Sequence, residues 1–186
     1  MRRPLVGLLA LGSIGLAADA AAQEPVSTDM SFKAMKKWSF TLPNEVWSDS
    51  SGGIKLAHEN GSSFTAYREG LALKLAVDTT GDGKANAEVK GAKGFLVLNG
   101  KSPDGEKLNY AVRFRVKGKA YQYSSSGVMR GSVAGTPVAL IDQNNNGVWN
   151  EIGVDAMVVG KGGAACYPSK IVNLKGDLYE IEISDD

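Results

Sequence analysis

Tyr110-Ala111-Val112-Arg113-Phe114-Arg115-Val116-Lys117 alternates without a break. Tyr110, Val112, Phe114 and Val116 fall on one side, and Ala111, Arg113, Arg115 and Lys117 on the other. A strand turns successive side chains to opposite faces, so this is the pattern of a half-buried antiparallel strand. The cationic side reads as a solvated strand face. Lys117-Gly118-Lys119 follows as a turn signal, since Gly takes the positive φ that tight hairpins need.

The same alternation recurs outward from this stretch. Leu71, Leu73, Leu75 and Val77 oppose Ala72, Lys74 and Ala76, and Tyr179, Ile181 and Ile183 oppose Leu178, Glu180 and Glu182. Continuous apolar runs at 95–98 and 138–141 fit strands buried on both faces. Turn signals such as Asn60-Gly61, Asn99-Gly100 and Lys175-Gly176-Asp177 punctuate these runs. The best match to a helical stripe is 29–37, with Phe32, Met35 and Lys36 on one side. The expectation is an all-β fold, an antiparallel β-sandwich or barrel with short hairpins and little helix. Residues 23–30 read as a flexible arm and 31–186 as a single β-rich domain.

Arg2 and Arg3, an apolar stretch over 5–18 and Ala20-Ala21-Ala22 form the three parts of an export signal. Residues 1–22 are therefore expected to be a signal peptide, removed before Gln23, and the product secreted or periplasmic. No other apolar run is long enough to span a bilayer, so no membrane contact is expected after removal. The mature chain carries nineteen basic and nineteen acidic residues. That balance argues against a nucleic-acid partner, because phosphate contact needs clustered cations. One His (His58) and one Cys (Cys166) exclude most zinc sites and every intramolecular disulfide. Cys166 reads as an inert, partly buried thiol.

One local pattern occurs twice, each time straight after a strand candidate. The first copy is Asp78-Thr79-Thr80-Gly81-Asp82-Gly83-Lys84-Ala85-Asn86-Ala87-Glu88. The second is Asp142-Gln143-Asn144-Asn145-Asn146-Gly147-Val148-Trp149-Asn150-Glu151. Calcium is a hard cation that takes six to eight oxygens at about 2.3–2.6 Å. Oxygen-bearing side chains at positions 1, 3 and 5 of a tight loop converge on one point. Position 7 then offers a backbone carbonyl, position 9 often acts through water, and Gly at position 6 permits the sharp turn.

These loops resemble the EF-hand calcium loop, and more closely its DxDxDG-type relatives in dockerins, thrombospondin repeats and other secreted bacterial proteins. The stretch 140–160 also resembles a segment of exported bacterial β-rich proteins. The resemblance covers about a dozen residues per copy, and it implies ligands rather than a fold or an activity. In the first copy it implies Asp78, Thr80, Asp82, the Lys84 carbonyl and Asn86. In the second it implies Asp142, Asn144, Asn146, the Val148 carbonyl and Asn150. Position 12, normally a bidentate acid, is Val89 or Gly153, so Glu88, Glu151 or Asp155 would have to substitute. Few charged ligands imply weak calcium binding, on the order of 10⁻⁴–10⁻³ M. The competing reading is a pair of plain hairpin turns, with Asx-turns at Asp78 and Asp142.

The function expected is that of an exported, non-catalytic structural or interaction module stabilised by calcium; the sequence names no partner, and a glycan or cell surface is the candidate class. One alternative is a carbohydrate-binding module with an aromatic platform drawn from Trp38, Trp47, Trp149, Tyr67, Tyr121 and Tyr123. A secreted hydrolase is the other. Glu45, Asp49, Glu59 and Glu69 are available for it, but no spacing pairs them, and no nucleophile or metalloprotease motif occurs. Ser124-Ser125-Ser126 before Gly127 reads as a turn.

Overall fold

The computed structural model describes residues 4–10, 26–56, 62–68, 73–101 and 107–185, and among these there is no helix. In chain order the strands are β1 (Pro4–Ala10), β2 (Val26–Asp29), β3 (Ser31–Ala34), β4 (Ser48–Asp49), β5 (Ile54–Leu56), β6 (Ser62–Phe64), β7 (Ala66–Arg68), β8 (Lys74–Val77), β9 (Ala87–Lys90), β10 (Lys93–Leu98), β11 (Tyr110–Lys117), β12 (Ala120–Ser125), β13 (Gly127–Val133), β14 (Thr136–Ile141), β15 (Ala156–Val159), β16 (Ile171–Leu174) and β17 (Asp177–Asp185). They form antiparallel sheets ordered β16-β17-β1-β2, β10-β11-β12-β4, β15-β14-β13-β3, β7-β8-β9 and β5-β6. The sheets stay open, so the fold is an all-β, sandwich-like arrangement of short hairpins rather than a closed barrel.

The stretch 110–117 is β11 over its whole length. Tyr110, Val112 and Phe114 are buried in the main core, and Lys117 pairs with Ala120 across a two-residue turn. Burying such side chains supplies about 1.5–3 kcal/mol each, the main drive holding the sheet down. That core also takes Ile54 and Phe64, Leu75 and Val77, Met129 and Leu140, and Tyr179 and Ile181, so side chains from every sheet meet in it.

The continuous apolar run at 138–141 has its cause in a second, smaller core. Leu140 and Val138 face the main core, while Ala139 and Ile141 pack with Val128, Ala156 and Val158 on the opposite face. Met35, Trp38, Phe40 and Leu42 cover that second face. The run at 95–98 behaves differently: only Leu98 is fully buried.

The helical stripe expected over 29–37 is replaced by strand. Ser31–Ala34 pairs with Gly127–Arg130, and Phe32 packs edge-on against Trp149 at 6.2 Å. The apolar spacing there is matched by a distant strand, which a local period cannot register. The polar segment 23–30 ends in β2, and Met30 is buried. Pro4–Ala10, within the stretch read as an export signal, runs between β2 and β17. Ser124–Ser126 is not a turn: Ser124 and Ser125 close β12, and all three serines are buried. Leu71, Ala72, His58, Glu59, Asn60 and Glu69 lie outside the described residues.

Candidate metal loops

Both acidic loops follow a strand end directly, Asp78 after β8 and Asp142 after β14, and both aspartates are fully buried. A buried carboxylate needs donors, and each loop folds its own backbone around one. Asp78 Oδ1 accepts the N–H groups of Thr80 and Gly81 at 2.8 Å, and Oδ2 accepts that of Gly83 at 2.8 Å. Asp142 Oδ1 accepts Asn145 N–H at 2.7 Å and Asn146 N–H at 3.2 Å, and Oδ2 accepts Gly147 N–H at 2.6 Å. Gly83 and Gly147 both sit at positive φ, 84° and 86°, which aims their N–H back at the aspartate.

Beyond that shared turn the loops diverge. In the first, Thr80, Asp82 and Lys84 are exposed, and among the described residues Asp82 accepts only Lys84 N–H, at 2.9 Å. Asn86 is spent within the loop, its Oδ1 accepting Thr79 N–H at 2.9 Å and its Nδ2 donating to Thr80 Oγ1 at 3.1 Å. Glu88 is not drawn in: it stands on β9 between Lys74, at 2.6 Å, and Lys90, at 3.2 Å.

The second loop gathers inward. Asn144 Nδ2 and Asn146 Nδ2 both donate to Glu151 Oε2, at 2.9 and 2.6 Å. Positions 3 and 5 thus meet the acid of position 10 at one point. Asn144 Oδ1 accepts Asn146 N–H at 3.3 Å and Asn146 Oδ1 accepts Val148 N–H at 2.8 Å. Asp155, also fully buried, ties the loop ends together by accepting Gln143 N–H at 3.2 Å and Glu151 N–H at 3.0 Å. Asn150 is half-buried beside them. Three residues with no place in the position pattern complete the frame. Tyr110 Oη donates to Asp142 Oδ2 at 2.7 Å. Gln143 Nε2 donates to the Val154 carbonyl at 2.8 Å. Asn145, at φ 67°, accepts Ser125 N–H at 2.7 Å and donates to the Val46 carbonyl at 3.1 Å.

Electrostatics separate the loops in the same sense. Desolvation pushes Asp78 up, but its backbone N–H donors outweigh it and leave the carboxyl below its ordinary range. For Asp142 desolvation wins over Tyr110 and the N–H groups, and the carboxyl rises to about 6. Asp155 is pushed to about 7, by burial first and then, against its N–H donors, by the charges of Asp142 and Glu151. Asp142 and Glu151 thus both add negative charge beside buried Asp155, which makes the site short of positive charge. Among the described residues no three His, Cys, Asp or Glu side chains form a metal cage on their own. The oxygens of the second loop are a mixture of carboxylate, carboxamide and backbone, the hard donor set that suits calcium.

The aromatic residues do not assemble into one platform. Trp149, Tyr121 and Tyr123 are core residues. Trp38 and Trp47 instead cover the cationic face of β11, with the Arg113 guanidinium 4.1 Å from Trp38 and the Arg115 guanidinium 4.0 Å from Trp47. Glu45 pairs with Arg113 at 2.6 Å and accepts Trp47 Nε1–H at 2.8 Å. The face read as solvated is thus half-covered by a stacked cluster. Of the six platform candidates Tyr67 alone stands exposed, on β7. Cys166 is exposed rather than partly buried, its thiol 3.5 Å from the Met157 carbonyl.

Compared with known proteins, the chain matches no family model, no curated protein and no solved structure. No helix among the described residues is long and apolar enough to cross a membrane.

Proposed function

We propose that this protein is an exported structural or interaction module whose second loop holds a calcium ion, with the first loop a weaker site. What carries the reading is the convergence of Asn144, Asn146 and Glu151 beside buried Asp142 and Asp155. Five oxygen-bearing side chains gather there, and the hydrogen bonds they make among the described residues go to backbone N–H, carboxamide and hydroxyl groups. Turning the two carboxamides about their last bond would present oxygen in place of N–H, a modest rearrangement. Asp142, Asn144, Asn146, Glu151 and the Val148 carbonyl are the proposed ligands. Asp155 orients the loop from behind, as outer partners do around a metal.

The role assigned to the ion is structural. It neutralises the buried acids and joins the end of β14 to the start of β15. No catalytic step is assigned. The test is thermal unfolding in EDTA and in about 5 mM calcium, with magnesium as control. At a Kd near 1 mM the gain is about 1 kcal/mol, or a few degrees for a chain of this size. A rise with calcium and not with magnesium supports the reading. No rise returns both loops to the class of self-satisfied turns.

A further inference from the structure

We propose that export leaves a strand-wide gap between β2 and β17, and that this gap takes an extended segment of a partner protein in which apolar and basic residues alternate. The strand standing there is Pro4–Ala10, which lies in the stretch read as the export signal. It pairs antiparallel with β17 over seven residues and with β2 over four. Its removal therefore uncovers two facing edges at once, about 10 Å apart, since neighbouring strands lie about 4.8 Å from one another. Ile181 N–H donates to the Lys170 carbonyl at 2.8 Å, away from the gap. Backbone groups of successive strand residues turn to opposite sides, so Glu180, Glu182 and Ser184 turn theirs into it. Across the gap, β2 has Pro4–Ala10 as its one ladder partner among the described residues. Rows of unpaired N–H and C=O groups template an added strand.

Register sets what the added strand must carry. Tyr179 and Ile181 are buried in the main core and Ile183 packs against it; they stand opposite positions 10, 8 and 6. Those three positions lie over the core and require apolar side chains. Positions 9 and 7 lie on the other face, beside Glu180 and Glu182, and position 5 lies beside Asp29. All three acids are exposed. Opposite charges on paired strands attract, so Lys or Arg suits the outward positions. Leu5, Gly7 and Leu9 carry no charge, so the leader meets only the apolar half of the requirement. The protein's own segments fit less well. Residues 23–25, all that would precede β2 after cleavage, are three against seven positions. The β17 of a second copy would set Glu180 and Glu182 against the same acids, and like charges on paired strands repel.

The inference gives the interaction module a partner class, and it rests on export with loss of the leader and not on calcium. The full chain is expressed for export, and the mass of the exported product is read first. A product that keeps residues 1–22 overturns the export reading, and the gap with it. On a product starting at Gln23, calorimetric titration uses the heptapeptide Pro-Lys-Val-Lys-Leu-Lys-Ala, the same peptide with Glu for Lys, and Pro-Lys-Lys-Lys-Val-Leu-Ala, which has the first composition in blocks. The first is expected to bind with a Kd of about 100 µM or tighter. The other two are expected to bind roughly tenfold more weakly or worse. Hydrogen exchange is expected to slow over 180–184 and 26–29 when the first peptide binds. The double variant Glu180→Lys with Glu182→Lys is expected to reverse the preference between the Lys and Glu peptides. Its unfolding midpoint shows whether the fold is kept, and the peptide comparison on the unaltered protein stands should the variant unfold. With the leader gone, no binding of the first peptide at about 1 mM overturns the proposal alone. So does equal binding of the three peptides. So does protection of 180–184 in the peptide-free protein, which would mean that β2 or a second copy has closed the gap.

Discussion

Tyr110 Oη donates to Asp142 Oδ2 at 2.7 Å, joining the first residue of β11 to the first residue of the second loop. Both are fully buried, and the bond spans 32 residues of sequence. The strand that organises the core thereby also orients the loop. Removing the hydroxyl leaves a buried carboxylate short of one donor, which costs about 1–3 kcal/mol. Tyr110→Phe should therefore lower the urea midpoint at pH 7.5 with an unchanged slope. The loss should shrink at pH 5, where Asp142 is protonated and needs the donor less. Equal losses at the two pH values would show that the hydroxyl matters only for packing.

The two raised carboxyls give the metal-free protein an unusual pH dependence. Asp142 and Asp155 titrate at about 6 and about 7 in the folded chain, against 3.8 as the ordinary value. A group whose folded pKa is raised holds its proton more tightly when folded. Its contribution is complete below 3.8 and is lost as pH climbs through 6 and 7. Asp78, lowered by its N–H donors despite desolvation, works in the opposite direction, and only below its ordinary value. In EDTA the unfolding midpoint should fall between pH 5 and pH 7.5. Calcium, which binds the deprotonated acids, should flatten that slope. A midpoint that rises over this interval in EDTA would contradict the burial of the pair.

The loops should answer calcium unequally. Asp82 is exposed and accepts a single N–H, so Asp82→Ala should change stability by no more than about 0.5 kcal/mol and leave the calcium shift intact. Glu151→Gln removes the acid on which Asn144 and Asn146 converge, and it should abolish the calcium shift. Differential scanning calorimetry of the two variants with and without calcium decides this. A shift lost in Asp82→Ala but kept in Glu151→Gln would move the site to the first loop.

A chain starting at Gln23 tests the leader. The described members of the main core lie beyond residue 29, and this chain is expected to unfold cooperatively. Pro4–Ala10 pairs with β17 over seven residues, and amide protection over 179–183 should drop when it is absent. Hydrogen exchange on both chains is the measurement. Failure of the shorter chain to fold would make residues 4–10 part of the domain.

Some of this was readable from residues alone. β11 was legible because its pattern is local: one face apolar, one face polar, a glycine turn at the end. The helical reading of 29–37 failed because Phe32 answers to Trp149 and to β13, about a hundred residues away, and not to its own neighbours. The cluster of Arg113 with Glu45 was invisible because the partners lie 68 residues apart. The loops show both outcomes. Positions 1 to 6 could be read from spacing, since backbone N–H groups wrap the first aspartate in either copy. Spacing did not show that Glu151 turns into its loop while Glu88 turns away to Lys74 and Lys90.

Gly83 and Gly147 occupy the same position in the two loops and the same region of φ, so they isolate the effect of tertiary context. At 84° and 86°, either replacement by Ala places a Cβ in the left-handed region, at about 1–2 kcal/mol. At Gly83 that is the whole cost, because a Cβ there meets nothing within 4 Å. At Gly147 the new Cβ would lie 2.9 Å from Leu56 Cβ, and Leu56 is a buried core residue. The overlap adds about 1–3 kcal/mol, the usual penalty for overpacking. It also pushes the N–H of residue 147 off Asp142 Oδ2. Urea unfolding should therefore rank Gly147→Ala well below Gly83→Ala in midpoint. Shortening the neighbour in the double variant Gly147→Ala with Leu56→Ala should recover part of the clash, so that the two changes cost less together than their sum. Equal midpoints for the two glycine variants would mean that the second loop is not seated on the core through Leu56.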